Sequence, residues 1–593
     1  MALWVVVAGS AAILWTAYQV YGGFLARKLR LDDSRLTPAE SQRDDVDFTP
    51  TPPSSLLPQH FSAIAAAGPI VGPILAGTMF GWAPALVWIL LGSILIGGVH
   101  DMTSLVASVR HHARSIPEVV RDHIGRRAYL LFLAFVWLSL VYIIVAFTDV
   151  TAGSFHGMLT LDNPDATETI DGVQVSTGPS TVAVSGAGIA TSSLLYLALP
   201  IIMGLLVRRT GMSLEKATIL FLPAVAWSIW YGQQQPLDLA AWFQLGKADT
   251  QRLWNMLILG YCFVASLAPV WILLQPRGSL GGWFLYAALF AGAIGVAAGG
   301  KRVEYPAFLG FTTSNGAQLF PILFITIACG ACSGFHSLIA SGTTSKQLRR
   351  ESDARTIGYG CMLLEAMVAI VSLSCVMILV EGDPLLKKSP NFLYAGGIGR
   401  FLELLHVPIE MGIAFGLMAF TTFVYDTLDV CTRLGRFILQ ELFGWTSLGG
   451  KAMATALTTL APVPFLLWQR VTPIGELDPV WRIFWTLFGA SNQLLAALAL
   501  IGVTVWLWRT YRERWVWIAV APPTAWMYVM SMWALGQTIL KAFGPRAQST
   551  DTLVASVASV LFLLGAFLLV EAIVAISKSV TPRGPKAALA GAS

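Results

Sequence analysis

The chain has 593 residues, of which 55% are hydrophobic and only 12% are charged, and its formal net charge is +5. Soluble domains average about 25% charged residues, so this chain carries too little charge to cover a soluble globular surface. Its Lys and Arg residues form short clusters between apolar runs and no continuous patch, which excludes a nucleic-acid partner and leaves the lipid bilayer as the expected surroundings.

Apolar runs of helical length follow one another along most of the chain. A bilayer core about 30 Å thick needs roughly 20 apolar helical residues, and these runs are longer than the strands of about ten residues that build membrane barrels. We therefore predict an all-α polytopic membrane protein with about fifteen transmembrane helices. The predicted spans are 3–24, 60–80, 83–108, 128–150, 188–207, 217–233, 254–274, 281–298, 318–345, 357–380, 408–428, 450–468, 482–508, 515–535 and 552–577.

The distribution of basic residues predicts how the helices are oriented in the membrane. Five arginines lie between residues 110 and 127, whereas the segment 151–187 contains no Lys or Arg and four acidic residues. Because cytoplasmic loops collect Lys and Arg, the first segment is predicted inside and the second outside. Alternating from there places the N-terminus outside and the C-terminal tail, with Lys578, Arg583 and Lys586, in the cytoplasm.

A Gly-Pro pair occurs twice in the middle of the second predicted span, as Gly68-Pro69 and Gly72-Pro73. Prolines remove backbone donors and glycines remove side-chain constraint, so a regular helix cannot pass undisturbed. Inside a bilayer such a break is tolerated where it is buried in protein or lines a cavity, and the freed helix ends can bind a solute or an ion. The alternative is a proline kink that serves packing alone. The doubled pair favours a functional break, and all four residues are candidate substrate-binding residues.

The ninth predicted span is interrupted by a stretch of small and polar residues around Cys329, Cys332 and Ser333. Such residues present hydroxyls and backbone groups to a cavity, or they permit close helix packing. We take Ser333, Gly334, His336 and Ser337 as candidate substrate-binding residues. The two cysteines and His336 also suggest a zinc site, but no fourth ligand stands beside them, and we predict no metal.

The two interrupted spans are predicted to cross the membrane in opposite directions. Opposed broken helices are typical of transporters built from inverted repeats, whose substrate site lies at the membrane midplane. On this basis we divide the chain into four regions. Residues 1–59 form an N-terminal span and cytoplasmic loop, 60–380 a transporter core with both broken helices, 381–510 the C-terminal part of the core, and 511–593 peripheral spans and a cytoplasmic tail.

Ionisable residues within predicted spans are costly and therefore mark function. Asp101, Glu365 and Asp426 are the candidates for ion coupling, because a carboxylate withdrawn from water can load and unload a proton. For Asp426, a structural ion pair with Asp429 and Arg433 is the alternative. The coupling ion is H⁺ or Na⁺, and no further cofactor is expected.

Two polar residues in the thirteenth predicted span, Asn492 and Gln493, either line the cavity or bridge helices. No phosphate-binding loop and no metalloprotease or triad spacing is recognisable in the sequence. An ATP-driven pump and a hydrolase are therefore not expected. Two other classes stay open: a membrane nutrient sensor without net transport, and an intramembrane enzyme built on His336 and Cys332.

Ordered stretches across residues 20–510 match one family. They are Tyr21-Gly22 with Leu31-Asp32-Asp33-Ser34-Arg35 and Thr37-Pro38-Ala39; His60-Phe61 to Pro73; His100-Asp101; Ala328 to His336 with Thr343-Thr344-Ser345-Lys346; Tyr359-Gly360 to Glu365; Asp426-Thr427 to Arg433 with Arg436 and Gln440-Glu441; and Ser491 to Ala496. On these stretches the chain resembles the carbon starvation protein A family of bacterial inner-membrane transporters. It differs from the longer members of the family in being shorter, with the shortfall expected towards the C-terminus, and it carries His100 where relatives carry Gln.

The resemblance implies uptake of a small carbon source under starvation stress, either pyruvate together with protons or peptides. It also implies the inner cell membrane, and a leucine-transporter-like fold of inverted repeats with additional peripheral helices. The hypothesis is therefore a secondary active transporter that imports pyruvate or peptides by ion-coupled symport, with protons as the expected ion and with alternating access. The oligomeric state is not predicted.

Overall fold

The computed structural model describes residues 1–580 except 45–47, 164–166, 171–172, 177–179, 270, 299, 315, 469, 472–476 and 545–548. The tail residues Arg583 and Lys586, which enter the predicted orientation, lie outside the described residues. The described chain is mostly α-helical, as the apolar runs predict.

Fourteen α-helices lie among the described residues of the N-terminal half. They are α1 (Leu3–Ala17), α2 (Gly23–Lys28), α3 (Pro38–Ser41), α4 (Pro53–Ile64), α5 (Gly68–Phe80), α6 (Trp82–Gly92), α7 (Gly98–Arg110), α8 (Ile116–His123), α9 (Arg126–His156), α10 (Gly186–Thr210), α11 (Leu214–Gln234), α12 (Leu239–Phe243), α13 (Lys247–Leu267) and α14 (Leu274–Ala298). Two π-helical turns, Tyr18–Gly22 and Ser93–Gly97, join α1 to α2 and α6 to α7.

The C-terminal half adds eleven helices. They are α15 (Leu319–Thr326), α16 (Gly334–Gly342), α17 (Cys361–Met377), α18 (Pro390–Glu403), α19 (Ile409–Phe443), α20 (Leu448–Leu460), α21 (Val463–Leu467), α22 (Val480–Tyr511), α23 (Trp515–Ala519), α24 (Ala521–Lys541) and α25 (Ser549–Val580). A π-helical turn at Arg355–Gly360 precedes α17, and short 3₁₀ turns lie at Thr344–Lys346 and Pro384–Lys387.

Three antiparallel strand pairs lie between the helices. Strand β1 (Met158–Asn163) pairs with β4 (Ser180–Ser185), β2 (Thr167–Ile170) with β3 (Val173–Ser176), and β5 (Arg470–Val471) with β6 (Leu477–Asp478). The first two pairs fall in the segment 151–187, which the sequence predicts to lie outside the cell, and β1 and β4 pack against α18 and α19.

Eleven helices among the described residues are long and apolar enough to cross a membrane, or twelve if the pair α4 and α5 counts as one bent span. The predicted run 217–233 lies within α11, and the predicted run 254–274 is helical as α13 only as far as Leu267. Neither helix meets the same criterion of length and apolarity. The predicted run 318–345 is divided between α15 and α16, each too short to cross alone. The helix α18 lies in a segment for which no element was predicted.

The first predicted break lies slightly earlier than the Gly-Pro pairs. Helix α4 ends at Ile64, α5 begins at Gly68, and the two are bent by 48° across residues 65–67. The Gly-Pro pairs therefore form the first turns of α5 and not the break itself. Proline is tolerated at the start of a helix, because its missing N–H would have had no helical partner there.

The long helix α19 runs well past the predicted end of its span at residue 428. Two basic side chains on its extension reach across to the end of α13: Arg433 Nη2 donates to the carbonyls of Ala265 at 2.9 Å and Ala268 at 2.8 Å, and Arg436 Nη1 donates to Ser266 at 2.5 Å. Basic groups at a helix C-terminus satisfy its free carbonyls and complement its dipole. These contacts explain why the extension is helical and buried.

Burial separates a central group of helices from a peripheral one. The apolar stretch of α22 is completely buried, and those of α19 and α17 are 89% and 83% buried. In contrast, the first span and the last, Thr552–Ser577, are only 28% and 33% buried. The interrupted helices α4–α5 and α15–α16 lie within the central group.

We expect Gly72→Ala to destabilise the protein. A β-carbon at Gly72 would overlap the carbonyl oxygen of Thr326, so the two broken helices would have to separate, at a cost of about 1–3 kcal/mol. Thermal unfolding in detergent measures the change. The matched control is Gly260→Ala in α13, where the added methyl meets nothing within 4 Å. Equal melting temperatures for the two variants would contradict the close approach.

Candidate functional site

The two broken helices meet at their breaks. A β-carbon at Gly68 would overlap the side chain of Cys329, and one at Gly72 would overlap the backbone of Thr326. Pro69 lies against Gly330. Glycine is needed here because the backbones approach too closely for any side chain. The start of α5 is thereby placed against the end of α15 and the segment before α16.

The start of α16 is held by a side chain from another helix. Asn492 of α22 accepts a hydrogen bond from the backbone N–H of Phe335 at 3.1 Å, and its amide donates to the Ser333 hydroxyl at 3.0 Å. The Asn492 amide also lies 3.5 Å from the sulfur of Cys329. Ser333 precedes the helix but does not cap it with its own side chain. Asn492 therefore acts as the N-cap of α16. The hydrocarbon of a bilayer has no acceptor that could satisfy the free N–H group instead.

The carbonyls freed at the end of α15 also have side-chain donors. Gln493 donates its amide to the carbonyl of Phe324, and the indole of Trp88 donates to the carbonyl of Ile327 at 3.3 Å. Asn492 and Gln493 thus bridge helices, which is the second of the two roles that the sequence leaves open.

Four buried ionisable residues converge one turn into α16. His336 Nδ1 lies 2.7 Å from Asp101 of α7, whose other carboxylate oxygen lies 2.7 Å from His100 Nδ1. On the opposite side of the ring, His336 Nε2 lies 3.1 Å from Glu365 of α17. All four side chains are fully buried. The sequence places these residues on three separate helices, and the structure brings them together.

The contact between His336 and Glu365 is close but not aligned as a hydrogen bond. Neither carboxylate oxygen of Glu365 has a hydrogen-bond partner, and the same holds for His336 Nε2. A buried charge without a directed partner is costly, because the interior replaces water poorly. Glu365 is therefore the residue of the cluster whose negative charge is least compensated, and binding a proton would neutralise it.

A cavity of about 470 Å³ leads towards this cluster from one end of the bundle. Its mouth includes Arg114, Glu118 and Lys346, which lie in segments that the sequence predicts to be cytoplasmic, and its inner wall includes His60 and Asp426. His60 Nδ1 is paired with the Thr344 hydroxyl at 2.8 Å, while its Nε2 has no hydrogen-bond partner. Asp101 and His336 both act on His60 electrostatically. The cavity is thus a vestibule that ends near the ionisable cluster.

A second charged cluster lies on another wall of the vestibule. The guanidinium of Arg277 in α14 pairs with Asp426 at 2.5 Å and contacts Asp429 and the Tyr261 hydroxyl, while Ser62 donates to the second oxygen of Asp426. The ion pair considered for Asp426 and Asp429 therefore exists, and Arg277 is a basic residue that contacts both carboxylates.

The predicted site residues have different places in this arrangement. Gly68, Pro69 and Gly72 form the contact between the breaks, and Pro73 is buried one turn further along α5. Ser333, Gly334 and His336 lie at the start of α16, with Gly334 packed on the α22 backbone. The Ser337 hydroxyl donates to the Gly334 carbonyl of its own helix. Asp101 and Glu365 flank His336, whereas Asp426 belongs to the Arg277 cluster.

Within the described residues, no group of three His, Cys, Asp or Glu side chains is arranged to hold a metal.

The sequence-based expectations did not include the buried charges of Arg277 and Asp149. Arg277 follows Gln275 and Pro276, which lower the local hydropathy, so the segment reads as a loop. Asp149 lies inside the fourth predicted span, where a charged residue within an apolar run is the signal that could have identified it. It accepts hydrogen bonds from Gln251 at 2.7 Å, Asn255 at 3.3 Å and the backbone N–H of Trp481 at 2.9 Å.

Comparison with known proteins agrees with this architecture. The family model of the carbon starvation protein CstA matches residues 1–391 and 384–534, which is most of the chain. The chain belongs to the CstA family. The peptide transporter CstA of Escherichia coli strain K12 is 30% identical to it, over 92% of this chain and 82% of that protein. The pyruvate/proton symporter BtsT of the same organism is 31% identical, with the same shares covered.

A solved structure shares the fold. A crystal structure of a histidine-to-alanine mutant of the Eremococcus coleocola manganese transporter superposes on this CstA-family chain with a TM-score of 0.50, over 90% of this chain and 99% of the other, at 14% sequence identity. At this identity the likeness concerns the fold alone. The apolar helices and the similarity to transporters together show that the chain is a multi-pass membrane protein.

We expect Asn492→Ala to destabilise the start of α16. The change leaves the Phe335 N–H and the Ser333 hydroxyl without their buried partner, at a cost of about 1–3 kcal/mol. Ser337→Ala is the matched control, because its hydroxyl bonds only within its own helix. Chemical unfolding of the two purified variants measures the difference. An Asn492→Ala variant as stable as Ser337→Ala would show that Asn492 does not act as the cap.

The wall of the vestibule should loosen in acid. Burial, and next the neighbouring His111 at 2.9 Å, lower the pKa of His123 at the end of α8 to about 4. Once α8 detaches, His123 regains an ordinary pKa near 6.5. Protons therefore favour the detached form below about pH 6.5, and this effect grows until the pH falls to about 4. Above about pH 6.5 His123 is neutral in both forms, and the pH has no effect on the opening through this residue.

Hydrogen exchange of residues 116–123, corrected for the intrinsic effect of pH, measures this opening. We expect it to increase between pH 7 and 5 in the wild type and to stay nearly constant in His123→Gln. His112→Gln, a change at an exposed neighbouring histidine, should behave as the wild type does. If the protection of these residues in the wild type does not change with pH, the proposed role of His123 in the opening of α8 is refuted.

Proposed function

We propose that this chain is a secondary active transporter that imports a small carboxylate-bearing carbon source, pyruvate or a short peptide, by proton symport with alternating access. The observation that carries the proposal is the His336 ring between Asp101 and Glu365, at the meeting point of two broken helices and near the end of a vestibule. The printed names of the relatives, a peptide transporter and a pyruvate/proton symporter, support the substrate class and the ion.

The charge balance of the buried cluster favours protons as the coupling ion. With His336 protonated, one of the two carboxylates is balanced and the other carries an uncompensated charge. A second proton, on Glu365, makes the cluster neutral. Because an uncompensated buried charge is costly, the cluster releases or binds this proton when its contact with water changes. Asp101 and Glu365 are thus the proposed proton carriers.

The freed helix ends supply a place for the substrate. The starts of α5 and α16 both lie at the meeting point of the breaks, and helix N-termini attract anions through their free N–H groups. The residues Gly68 to Pro73 and Ser333 to Ser337 are therefore the proposed substrate-binding segments. A carboxylate common to pyruvate and peptides would bind there from the vestibule.

The overall design that we propose is a leucine-transporter-like core of inverted repeats, with peripheral helices at both ends of the chain. The support is the pair of opposed breaks, and the poor burial of the first and last spans. With fifteen spans, the N-terminus would lie outside and the C-terminus in the cytoplasm. The vestibule would then open to the cytoplasm, which corresponds to an inward-open state of the transport cycle.

Uptake into proteoliposomes tests the proposal. We expect labelled pyruvate or dialanine to accumulate in wild-type vesicles under an inward proton gradient. Glu365→Gln should abolish gradient-driven accumulation while keeping exchange of labelled for unlabelled substrate, because exchange requires no net proton release. Glu410→Gln, the same chemical change at an exposed site at the start of α19, is the matched control and should accumulate normally.

Two results would contradict the proposal in different ways. If Asp101→Asn and Glu365→Gln both keep pH-dependent accumulation, the proton carriers are assigned wrongly. If folded wild-type protein binds substrate but neither accumulates nor exchanges it, the chain is a sensor and not a transporter.

A further inference from the structure

Arg277 is a buried cation whose hydrogen-bonding capacity is only partly used. A guanidinium has five N–H donors. Nη1 contacts Asp429 and Tyr261, and Nε lies 2.5 Å from Asp426, but Nη2 has no hydrogen-bond partner although the side chain is only 1% exposed. The rings of Tyr261 and Tyr425 lie 5.6 and 5.5 Å from the guanidinium carbon and hold the group in place.

The unused donors lie on the edge that faces Asp426. Nε and Nη2 together form one of the two edges on which a guanidinium binds a carboxylate through two parallel hydrogen bonds. Asp426 approaches this edge most closely at Nε, and neither Nε nor Nη2 makes an aligned hydrogen bond. Its second oxygen is turned to the Ser62 hydroxyl. A carboxylate that displaced Asp426 would therefore gain a hydrogen bond that Asp426 does not make.

The vestibule gives a solute access to this edge. Asp426 and Ser62 line the cavity of about 470 Å³, together with Leu274, Gln275 and Gly278 on the turns of α14 around Arg277. Arg277 itself does not reach the cavity surface. Asp426 thus stands between the cavity and the guanidinium, so that moving Asp426 aside exposes Arg277.

We propose that Arg277 binds the carboxylate of the incoming substrate at the vestibule, before the substrate reaches the broken helices, and that Asp426 occupies the same guanidinium edge until it takes up a proton. The proposal rests on the proposed function for the class of substrate, a small carboxylate. Protonated Asp426 releases the Nε and Nη2 edge, and the substrate carboxylate replaces it. The proton and the anion then enter together, and the net charge of the cluster does not change.

The charge balance of the surroundings agrees with this exchange. Asp426 and Asp429 both contact a single guanidinium, that of Arg277, so protonation of Asp426 leaves Arg277 paired with Asp429 and with one edge available to a second carboxylate. The Tyr196 hydroxyl and the Thr422 hydroxyl are also buried without hydrogen-bond partners, and Tyr196 acts electrostatically on both Asp426 and Arg277. The titratable and charged groups around Asp426 are Arg277 of α14, Asp429 and Arg433 of α19, Tyr261 and Cys262 of α13, Tyr196 of α10, and His60 of α4 on the shared cavity.

Binding of pyruvate to the purified full-length protein, measured by calorimetry between pH 6 and 8, tests the proposal without transport. In the wild type we expect the affinity to fall as the pH rises, by up to about tenfold per pH unit for one linked proton. Asp426→Asn should bind at all these pH values with a nearly constant affinity, because an amide does not hold the guanidinium as a carboxylate does. Arg277→Lys should bind more weakly at every pH, because an ammonium group lacks the paired donors.

Asp429→Asn is the matched control, since it makes the same change one turn along α19 on the other side of the guanidinium. It should still bind more weakly as the pH rises, with the whole dependence moved to lower pH, because Arg277 then pairs with Asp426 alone. Methyl pyruvate, which lacks the carboxylate, should not compete, whereas dialanine should. A wild-type pH dependence in Asp426→Asn, or competition by methyl pyruvate as strong as that of pyruvate, would overturn the proposal.

The two proposals fail in different experiments. If the wild type shows pH-linked pyruvate binding that Asp426→Asn removes, but shows no gradient-driven uptake, the carboxylate site stands and transport is refuted. If the wild type accumulates pyruvate under a proton gradient while its binding curve does not change with pH, transport stands and the exchange at Arg277 is refuted.

Discussion

The structure depends on one constraint: a helix broken inside a bilayer must have its free backbone groups satisfied by the protein itself. The breaks in α4–α5 and α15–α16 are therefore surrounded by donors and acceptors from other helices. Asn492 accepts a hydrogen bond from the N–H of Phe335. Gln493 donates to the carbonyl of Phe324, and Trp88 donates to the carbonyl of Ile327. Two of these side chains come from α22, which explains why the most buried helix of the bundle carries polar residues.

The same constraint applies to charged side chains, and it separates those that are fully hydrogen-bonded from those that are not. Asp149 has donors for both of its oxygens. Glu365 and one edge of Arg277, in contrast, have unused hydrogen-bonding capacity. A membrane protein tolerates such groups where a proton or a solute completes them during function.

The sequence predicts what is local, and the structure adds what depends on packing. The apolar runs predict most of the spans, and the small polar stretch near Cys329 predicts the second break, because both follow from the composition of a single segment. The first break is displaced to residues 65–67, since proline at the second position of α5 starts a helix as readily as it interrupts one. The convergence of Asp101, His336 and Glu365 depends on three distant helices, and no spacing in the sequence records it.

Asp149 joins three helices into one unit. Its carboxylate accepts the N–H of Trp481 in the first turn of α22, and the side chains of Gln251 and Asn255 attach it to α13. Because the bonds from Asn255 and from the Trp481 N–H are fully buried, breaking them is costly, and they hold α9, α13 and α22 together at this end of the bundle. A conformational change that separated any two of these helices would have to break those bonds first.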